Sequence, residues 1–331
     1  MLTDLDEAGL LDYRSAVVDP EDFDAFWTAQ LQRAAEHPID VRATAVDSLL
    51  ETIDVFDVRF AGHGGHPIRG WLYLPKHRTT PIPGVVQYQG YGGGRGHHLE
   101  SLLWSSAGYA HLMMDSRGQG SGYRRGATAD PVGPSGPTIP GQMTNGIEDP
   151  AGHYYTRLYV DAVRAVDALR SFSTVDVTRI AVVGGSQGGA LALAAAALRD
   201  DVAAVVAHVP FLSDIRRASR ITDAMPYKEI GRYLATHRDA TERVFATLAY
   251  FDGVSLARRI TAPTWLSAAL MDSTCPPSTV YGVYHELAGE REIRLWEFNG
   301  HEGGGPDDDE RALRALRAVF DRTNGIGRSK G

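Results

Sequence analysis

The run Arg179-Ile-Ala-Val-Val-Gly-Gly-Ser-Gln-Gly-Gly-Ala-Leu-Ala-Leu-Ala-Ala-Ala-Ala-Leu198 decides how this chain is read. It begins as an apolar strand, Arg179–Val183, and ends as an Ala/Leu helix, Gly188–Leu198. Between them stands Gly184-Gly185-Ser186-Gln187-Gly188, a match to G-x-S-x-G. In a glycine-rich chain the pattern alone is weak. Strand, sharp turn and helix in immediate succession make it specific, because that is the setting of a nucleophile elbow. A serine at the apex of such a turn sits in strained backbone, so its neighbours must lack bulky β-carbons. The helix that follows points its free N–H groups and positive dipole end at the same place. The plain alternative is a glycine-rich turn with a solvated serine.

Outward from this run, short apolar stretches recur at Val85–Tyr88, Tyr109–Met114, Ile180–Val183, Val202–Val209, Thr264–Leu270 and Ile293–Phe298. Helical segments such as Tyr155–Phe172 and Gly188–Leu198 separate several of them. Apolar strands alternating with helices predict a mostly parallel sheet covered on both faces. Upstream, Ile53–Phe60 and Ile68–Leu74 flank Gly62-His-Gly-Gly65 and read as antiparallel neighbours. Phe23, Phe26, Trp27 and Leu31 fall at helical spacing within Glu21–Glu36. Residues 1–50 are therefore expected to be a helical extension. Residues 212–262 carry helix-like pieces at Asp214–Thr222, Tyr227–His237 and Ala240–Ala249. They read as a helical insertion over the C-terminal edge of the sheet, with ordinary crossover helices as the alternative. Pro131–Gly146 reads as a long surface loop, and loops of that length are usually functional or interfacial. The acidic run Asp307–Glu310 is read as a first helical turn that complements the dipole of a helix around Ala312–Phe320.

At 331 residues the chain is long enough for two domains or one large α/β domain with insertions, and the strand pattern favours a single domain over 1–331. Its 43% hydrophobic and 22% charged content is that of an ordered globular protein. Lys and Arg number 33 against 41 Asp and Glu, a net charge of −8. That acidic balance argues against nucleic acid or an anionic membrane as partner. The longest apolar run, Ala190–Leu198, is far shorter than the ~20 residues a membrane-spanning helix needs. Met1-Leu-Thr-Asp-Leu-Asp-Glu7 has early acidic residues and no apolar core, so a secretion signal is not expected and a cytoplasmic location is. Cys275 is the single cysteine and has no internal disulfide partner.

A serine hydroxyl is a poor nucleophile until a base takes its proton, and the base needs an orienting carboxylate. In this fold the order along the chain is Ser, then Asp or Glu, then His. Of His208, His237, His285 and His301, only His301 lies just beyond a terminal strand, in the open glycine loop Phe298-Asn-Gly-His-Glu-Gly-Gly-Gly305. His208 sits inside an apolar run and reads as a core histidine; His237 and His285 fall within helix-like segments. Asp272 ends the strand Thr264–Leu270, where open α/β sheets place functional groups, and is favoured over Asp252, Glu286 and Glu302. The oxyanion donors are expected to be the backbone N–H groups of Gln187, after the nucleophile, and of Tyr91 in Gln89-Gly-Tyr-Gly-Gly-Gly-Arg-Gly96. Arg117-Gly118-Gln119-Gly120 fits neither phosphate-loop spacing, so Arg117 is read as a structural guanidinium tying loops together. His97-His98 lack a carboxylate cluster, Cys275 reads as a packed thiol, and no metal or other cofactor is expected.

Taken together, Gly90-Tyr91 with Gly93 and Arg95-Gly96, Arg117-Gly118-Gln119, Gly184–Gly189, Met271-Asp272 with Cys275-Pro-Pro-Ser-Thr-Val280, and His301-Glu-Gly-Gly-Gly305 resemble the acetyl xylan esterase/cephalosporin-C deacetylase family. The likeness runs from Asp22-Phe-Asp-Ala-Phe-Trp27 through Tyr250-Phe-Asp-Gly-Val254 to the last helix. It implies an α/β-hydrolase that removes acetyl groups from sugar hydroxyls, such as those of xylo-oligosaccharides, and from cephalosporin C. It also implies a metal-free cytoplasmic enzyme, often a hexamer. By its pattern Ser186 is the nucleophile, Asp272 and His301 its relay, and Tyr91 and Gln187 the oxyanion donors. Two positions depart from the family: Gln89 replaces an apolar residue or histidine, and Gly92 a common Asn, so the pocket beside Tyr91 is expected to differ. The alternatives are a broader short-chain acyl esterase, a prolyl-oligopeptidase-like peptidase and a non-catalytic relative. The peptidase would need a β-propeller, which about 80 residues before the first parallel strand cannot build. The non-catalytic relative would typically lack one of the three residues present here.

Overall fold

The computed structural model describes residues 2–78, 81–134 and 136–328, with side chains to Arg322. Met1, Ser135 of the expected loop Pro131–Gly146, and the last three residues lie outside that description. Three antiparallel strands come first: β1 (Arg42–Val46), β2 (Ile53–Ala61) and β3 (Pro67–Pro75). β4 (Ile82–Tyr88), β5 (Ala110–Met114), β6 (Val175–Gly185), β7 (Ala204–His208), β8 (Thr264–Ala269) and β9 (Arg291–Trp296) are mutually parallel. All nine make one sheet in the order β1-β2-β3-β5-β4-β6-β7-β8-β9. The centres of β4 to β8, such as Ile180–Val183 of β6, are largely apolar and buried because helices cover both faces of the sheet, which leaves no solvent side to alternate with. This is the α/β-hydrolase architecture that the alternation of strands and helices predicts.

The helices divide between the faces. α2 (Phe23–Ala35), α4 (Tyr154–Arg170) and α5 (Gln187–Ala197) share one apolar cluster with α6 (Ile215–Ile221), α7 (Tyr227–Thr236), α8 (Thr241–Leu248) and α9 (Gly253–Ala257). α3 (Leu103–Ser106) and α11 (Pro306–Arg328) cover the opposite face through Trp104, Leu316 and Phe320. α1 (Glu7–Asp12) and α10 (Pro277–Glu286) pack together beside β8 through Leu10, Val280 and Tyr281. None of the described helices is long and apolar enough to cross a membrane.

Residues 1–50 are not wholly helical as expected, because 42–46 form the edge strand β1. Its residues are exposed or nearly so, so it lacks the buried-face alternation that would have marked it; backbone pairing with β2 holds it. The regular elements of segment 212–262 are all helical, four α-helices and one short 3-10 turn (Arg238–Ala240) between β7 and β8. The register of the parallel strands then sets the site: Tyr88 lies opposite Gly184, Gly185 opposite His208, and His208 opposite Ser267. The chain leaves β4, β6, β7 and β8 at one edge, and the loops there converge.

Candidate active site

Ser186 occupies the turn between β6 and α5 with φ 54° and ψ −121°, a positive-φ conformation that a side-chain-bearing residue adopts only under constraint. Its N–H donates to the His208 carbonyl at 2.9 Å and its carbonyl accepts from Phe211 at 3.0 Å. The flanking glycines are required by close approach. A β-carbon on Gly184 would lie 2.3 Å from the Gly188 backbone, and one on Gly188 2.3 Å from the Tyr88 carbonyl oxygen. The elbow expected from sequence is formed.

His301 Nε2 is 3.0 Å from Ser186 Oγ, and His301 Nδ1 is 2.9 Å from Asp272 Oδ2. The other Asp272 oxygen accepts the N–H groups of Thr274 and Cys275, each at 2.8 Å. Asp272 is fully buried whereas a third of the His301 side chain is exposed, so the carboxylate is dry and the imidazole open to a substrate. With a carboxylate at Nδ1, the proton belongs on that nitrogen and Nε2 is left to accept from the serine. Cys275 is buried beside this group, and burial raises its thiol pKa. Its sulfur, with Asp272 and His301 ligand atoms, spans no more than 4.8 Å, but the carboxylate and imidazole already bond each other.

The backbone N–H groups of Tyr91 and Gln187 make no hydrogen bond among the described residues, which leaves both donors free beside Ser186. Side chains hold each donor in place. The buried Gln187 amide donates to the Gln89 carbonyl at 3.2 Å and accepts from Gln119 at 2.9 Å and from Tyr155 Oη at 3.1 Å. Gln119 also accepts the Gly92 N–H at 2.7 Å, so one amide side chain ties the Tyr91 turn to the nucleophile helix. The Tyr91 hydroxyl donates to Glu229 of α7 at 2.7 Å and accepts from the Gln142 N–H. Glu229 in turn accepts from the Met143 N–H at 3.0 Å, and burial raises its carboxyl pKa. Arg117 is fully buried, with Nε 2.5 Å and Nη2 2.7 Å from the Asp161 carboxylate and Nη1 3.3 Å from Asp130. Asp130 also binds Arg157 at 2.9 Å. Arg117 thus ties the loops at Asp130 and His63 to α4, and Gly118 beside it takes φ 65°.

These groups open into a cavity of about 770 Å³ lined by Ser186, His301, Tyr91, Tyr123, His208 and Met225 among others. A family model described as acetyl xylan esterase (AXE1) matches residues 1–318. The chain belongs to the acetyl xylan esterase family. That family is one of carboxylic ester hydrolases. The structure superposes on the acetyl xylan esterase from Paenibacillus sp. R4 with TM-score 0.90 and 41% identity, covering 95% of this chain and 99% of that one. Acetyl xylan esterase 1 from Thermoanaerobacterium sp. JW/SL YS485 gives TM-score 0.88 and 29% identity over 96% of this chain and 99% of that one. Acetyl esterase Axe7A of Xylanibacter ruminicola is 32% identical over 297 residues, 86% of this chain; the chain spans 64% of that relative's length.

Two expectations change within this acetyl xylan esterase family member. His208 is not enclosed in the core: its ring lines the cavity, because it is the last residue of β7 and faces the loops beyond. The acidic run does more than favour the helix dipole. Asp308 is buried and accepts from Trp296 Nε1 at 3.0 Å and the Gly304 N–H at 2.9 Å, pinning the loop that carries His301. Gln89 turns its amide to Met113 within the sheet, while its carbonyl holds Gln187. Gly92 takes φ 78°, a left-handed conformation that glycine adopts freely and asparagine tolerates, which accounts for either residue there. Glu229 was not singled out from sequence; as one acidic residue on an amphipathic helix it has no local signature.

Proposed function

We propose that this protein is a serine esterase that removes acetyl groups from carbohydrates, acetylated xylo-oligosaccharides foremost, with cephalosporin C as a further substrate. The observation that carries the reading is the continuous chain Ser186 Oγ, His301, Asp272 at 3.0 and 2.9 Å, at the mouth of a cavity in a chain of this family. His301 takes the serine proton as Ser186 Oγ attacks the acetyl carbonyl. The N–H groups of Tyr91 and Gln187 receive the developing oxyanion. His301 then protonates the departing sugar hydroxyl, and water releases acetate from the acyl-enzyme by the same route. Asp272 keeps the imidazole in the correct tautomer and stabilises its charge. The proposal extends to one hydrolase domain acting in the cytoplasm as a homo-oligomer, a hexamer by family resemblance; light scattering of the purified protein measures the assembly.

The test is acetate release from acetylated xylo-oligosaccharides, cephalosporin C and p-nitrophenyl acetate, side by side with Ser186→Ala. Loss of the nucleophile of a triad lowers turnover by about 10⁶-fold. A folded Ser186→Ala protein within tenfold of wild type rejects the assignment. Turnover of p-nitrophenyl acetate alone retains the triad and rejects the carbohydrate substrate.

A further inference from the structure

The cavity wall beside His301 carries a second imidazole that the reaction above does not use. The main-chain oxygen of His208 receives the Ser186 N–H at 2.9 Å, so this residue is locked next to the nucleophile. Its Nδ1 is 3.3 Å from Ser267 Oγ and 3.6 Å from Asp308 Oδ2. About a quarter of its side chain is exposed, and that exposure is to the cavity. Nδ1 is thus the nitrogen turned to Ser267 and Asp308, and Nε2, with no partner among the described residues, is the one left to meet a ligand. Burial lowers the pKa of the ring against the opposing pull of Asp308 and Asp309, so it stands neutral near pH 7.

Which half of the substrate this ring meets follows from the chemistry. The departing alcohol receives its proton from His301, so the sugar that leaves must lie against the His301 loop, opposite the Tyr91 and Gln187 donors. That loop packs on the groups that hold His208. A β-carbon at Gly303 would lie 3.2 Å from Asp308 Oδ2, 3.4 Å from Val209 and 3.7 Å from Ser267 Oγ. A sugar seated there meets polar groups, Asp309 and Glu302 included, alongside the apolar Val209 and Pro306.

We infer that His208 binds the leaving-group sugar, its Nε2 accepting a hydrogen bond from a free hydroxyl on the ring that carries the acetyl ester. The inference rests on the acetyl-carbohydrate reading and deepens it, by assigning a specificity residue for polyhydroxylated leaving groups.

The experiment compares kcat/KM on an acetylated methyl xyloside with that on its deoxy analogue, which lacks the hydroxyl next to the ester. Wild type is expected to prefer the hydroxylated ester about tenfold, the effect of one hydrogen bond, with the difference mainly in KM. His208→Leu is expected to abolish the preference and His208→Gln, which keeps an acceptor, to restore part of it. Equal wild-type rates on the two esters overturn the inference without any variant having to fold. A tenfold preference that survives in His208→Leu overturns it too, by assigning the hydroxyl to another group. Hydrolysis of neither sugar ester, with p-nitrophenyl acetate still cleaved, overturns the carbohydrate reading and this inference with it.

Discussion

Replacing Asp272 with asparagine isolates the role of the carboxylate from its role in folding. In the native site one oxygen accepts from His301 Nδ1 at 2.9 Å and the other from two backbone N–H groups, Thr274 and Cys275, at 2.8 Å. Asparagine has one oxygen and one NH₂, so it must choose. Turning the NH₂ toward Thr274 and Cys275 would set donors against two backbone donors beneath a fully buried residue. At about 1–3 kcal/mol for each unsatisfied group, that orientation costs roughly 2–6 kcal/mol. The oxygen therefore stays with the backbone and the NH₂ faces His301. The imidazole then accepts at Nδ1, its proton moves to Nε2, and Ser186 Oγ, 3.0 Å away, loses its base. A triad held in the wrong tautomer loses about 10⁴-fold in turnover, or about 5.5 kcal/mol of barrier lowering. The assay is initial-rate hydrolysis of p-nitrophenyl acetate, with the urea midpoint showing the fold retained. Turnover within tenfold of wild type in a folded Asp272→Asn protein would refute the reasoning, since the amide would then have turned or His301 would not be the base.

Two further outcomes follow from packing and burial. Trp27 is nearly fully buried, its ring against Tyr159 and Phe251 and its Nε1 donating to the Tyr250 carbonyl at 3.1 Å, so α2 is clamped to the helical segment before β8. Trp27→Ala is expected to lower unfolding free energy by about 3–5 kcal/mol in urea titrations, and a loss below 1 kcal/mol would show that α2 is dispensable to the core. His111 is fully buried on β5, its Nδ1 on the Ser101 carbonyl at 3.1 Å, and burial lowers its pKa from 6.5 to about 3. Between those values the unfolded chain holds a proton that the folded chain does not, so this residue makes stability fall as pH drops below about 6.5 and leaves it flat above. In His111→Phe the slope of unfolding free energy between pH 4.5 and 6 is expected to lose about 1.4 kcal/mol per pH unit; an unchanged slope contradicts the burial argument.

The fold and the three central residues were legible because each carries a local signature with a physical cause. Parallel strands announce themselves as unbroken apolar runs, and Val85–Tyr88, Ile180–Val183 and Val202–Val209 fall within or across β4, β6 and β7. Ser186 is marked by the glycines its turn requires, Asp272 by its place after a strand, and His301 by its glycine loop near the end of the chain. β1 escaped because an exposed edge strand needs no apolar face. His208 was misread because an apolar run says a residue is in a strand but not where the strand stops. One residue earlier, Ala207, is enclosed, while His208 already faces the cavity.

The supports of the site were illegible for a different reason: they join positions far apart in sequence through single atoms. Glu229 meets Tyr91 across 138 residues, and nothing around either residue encodes the other. The link nonetheless decides how the oxyanion turn is held. The Tyr91 N–H is unpaired among the described residues, as the proposed oxyanion role requires, so its position is fixed through the side chain. The phenol achieves this by donating to a carboxylate that also accepts from Met143, while accepting from Gln142. Gly141 is constrained by the same group, since a β-carbon there would lie 2.2 Å from the Glu229 oxygens. The long loop after β5, read from sequence as a surface loop, and the helices before β8, read as an insertion over the C-terminal edge of the sheet, therefore meet at one buried carboxylate behind Tyr91. Both therefore help to shape the candidate site, and the cavity contour is set in part by segments outside the strand-and-helix core that gives the fold away.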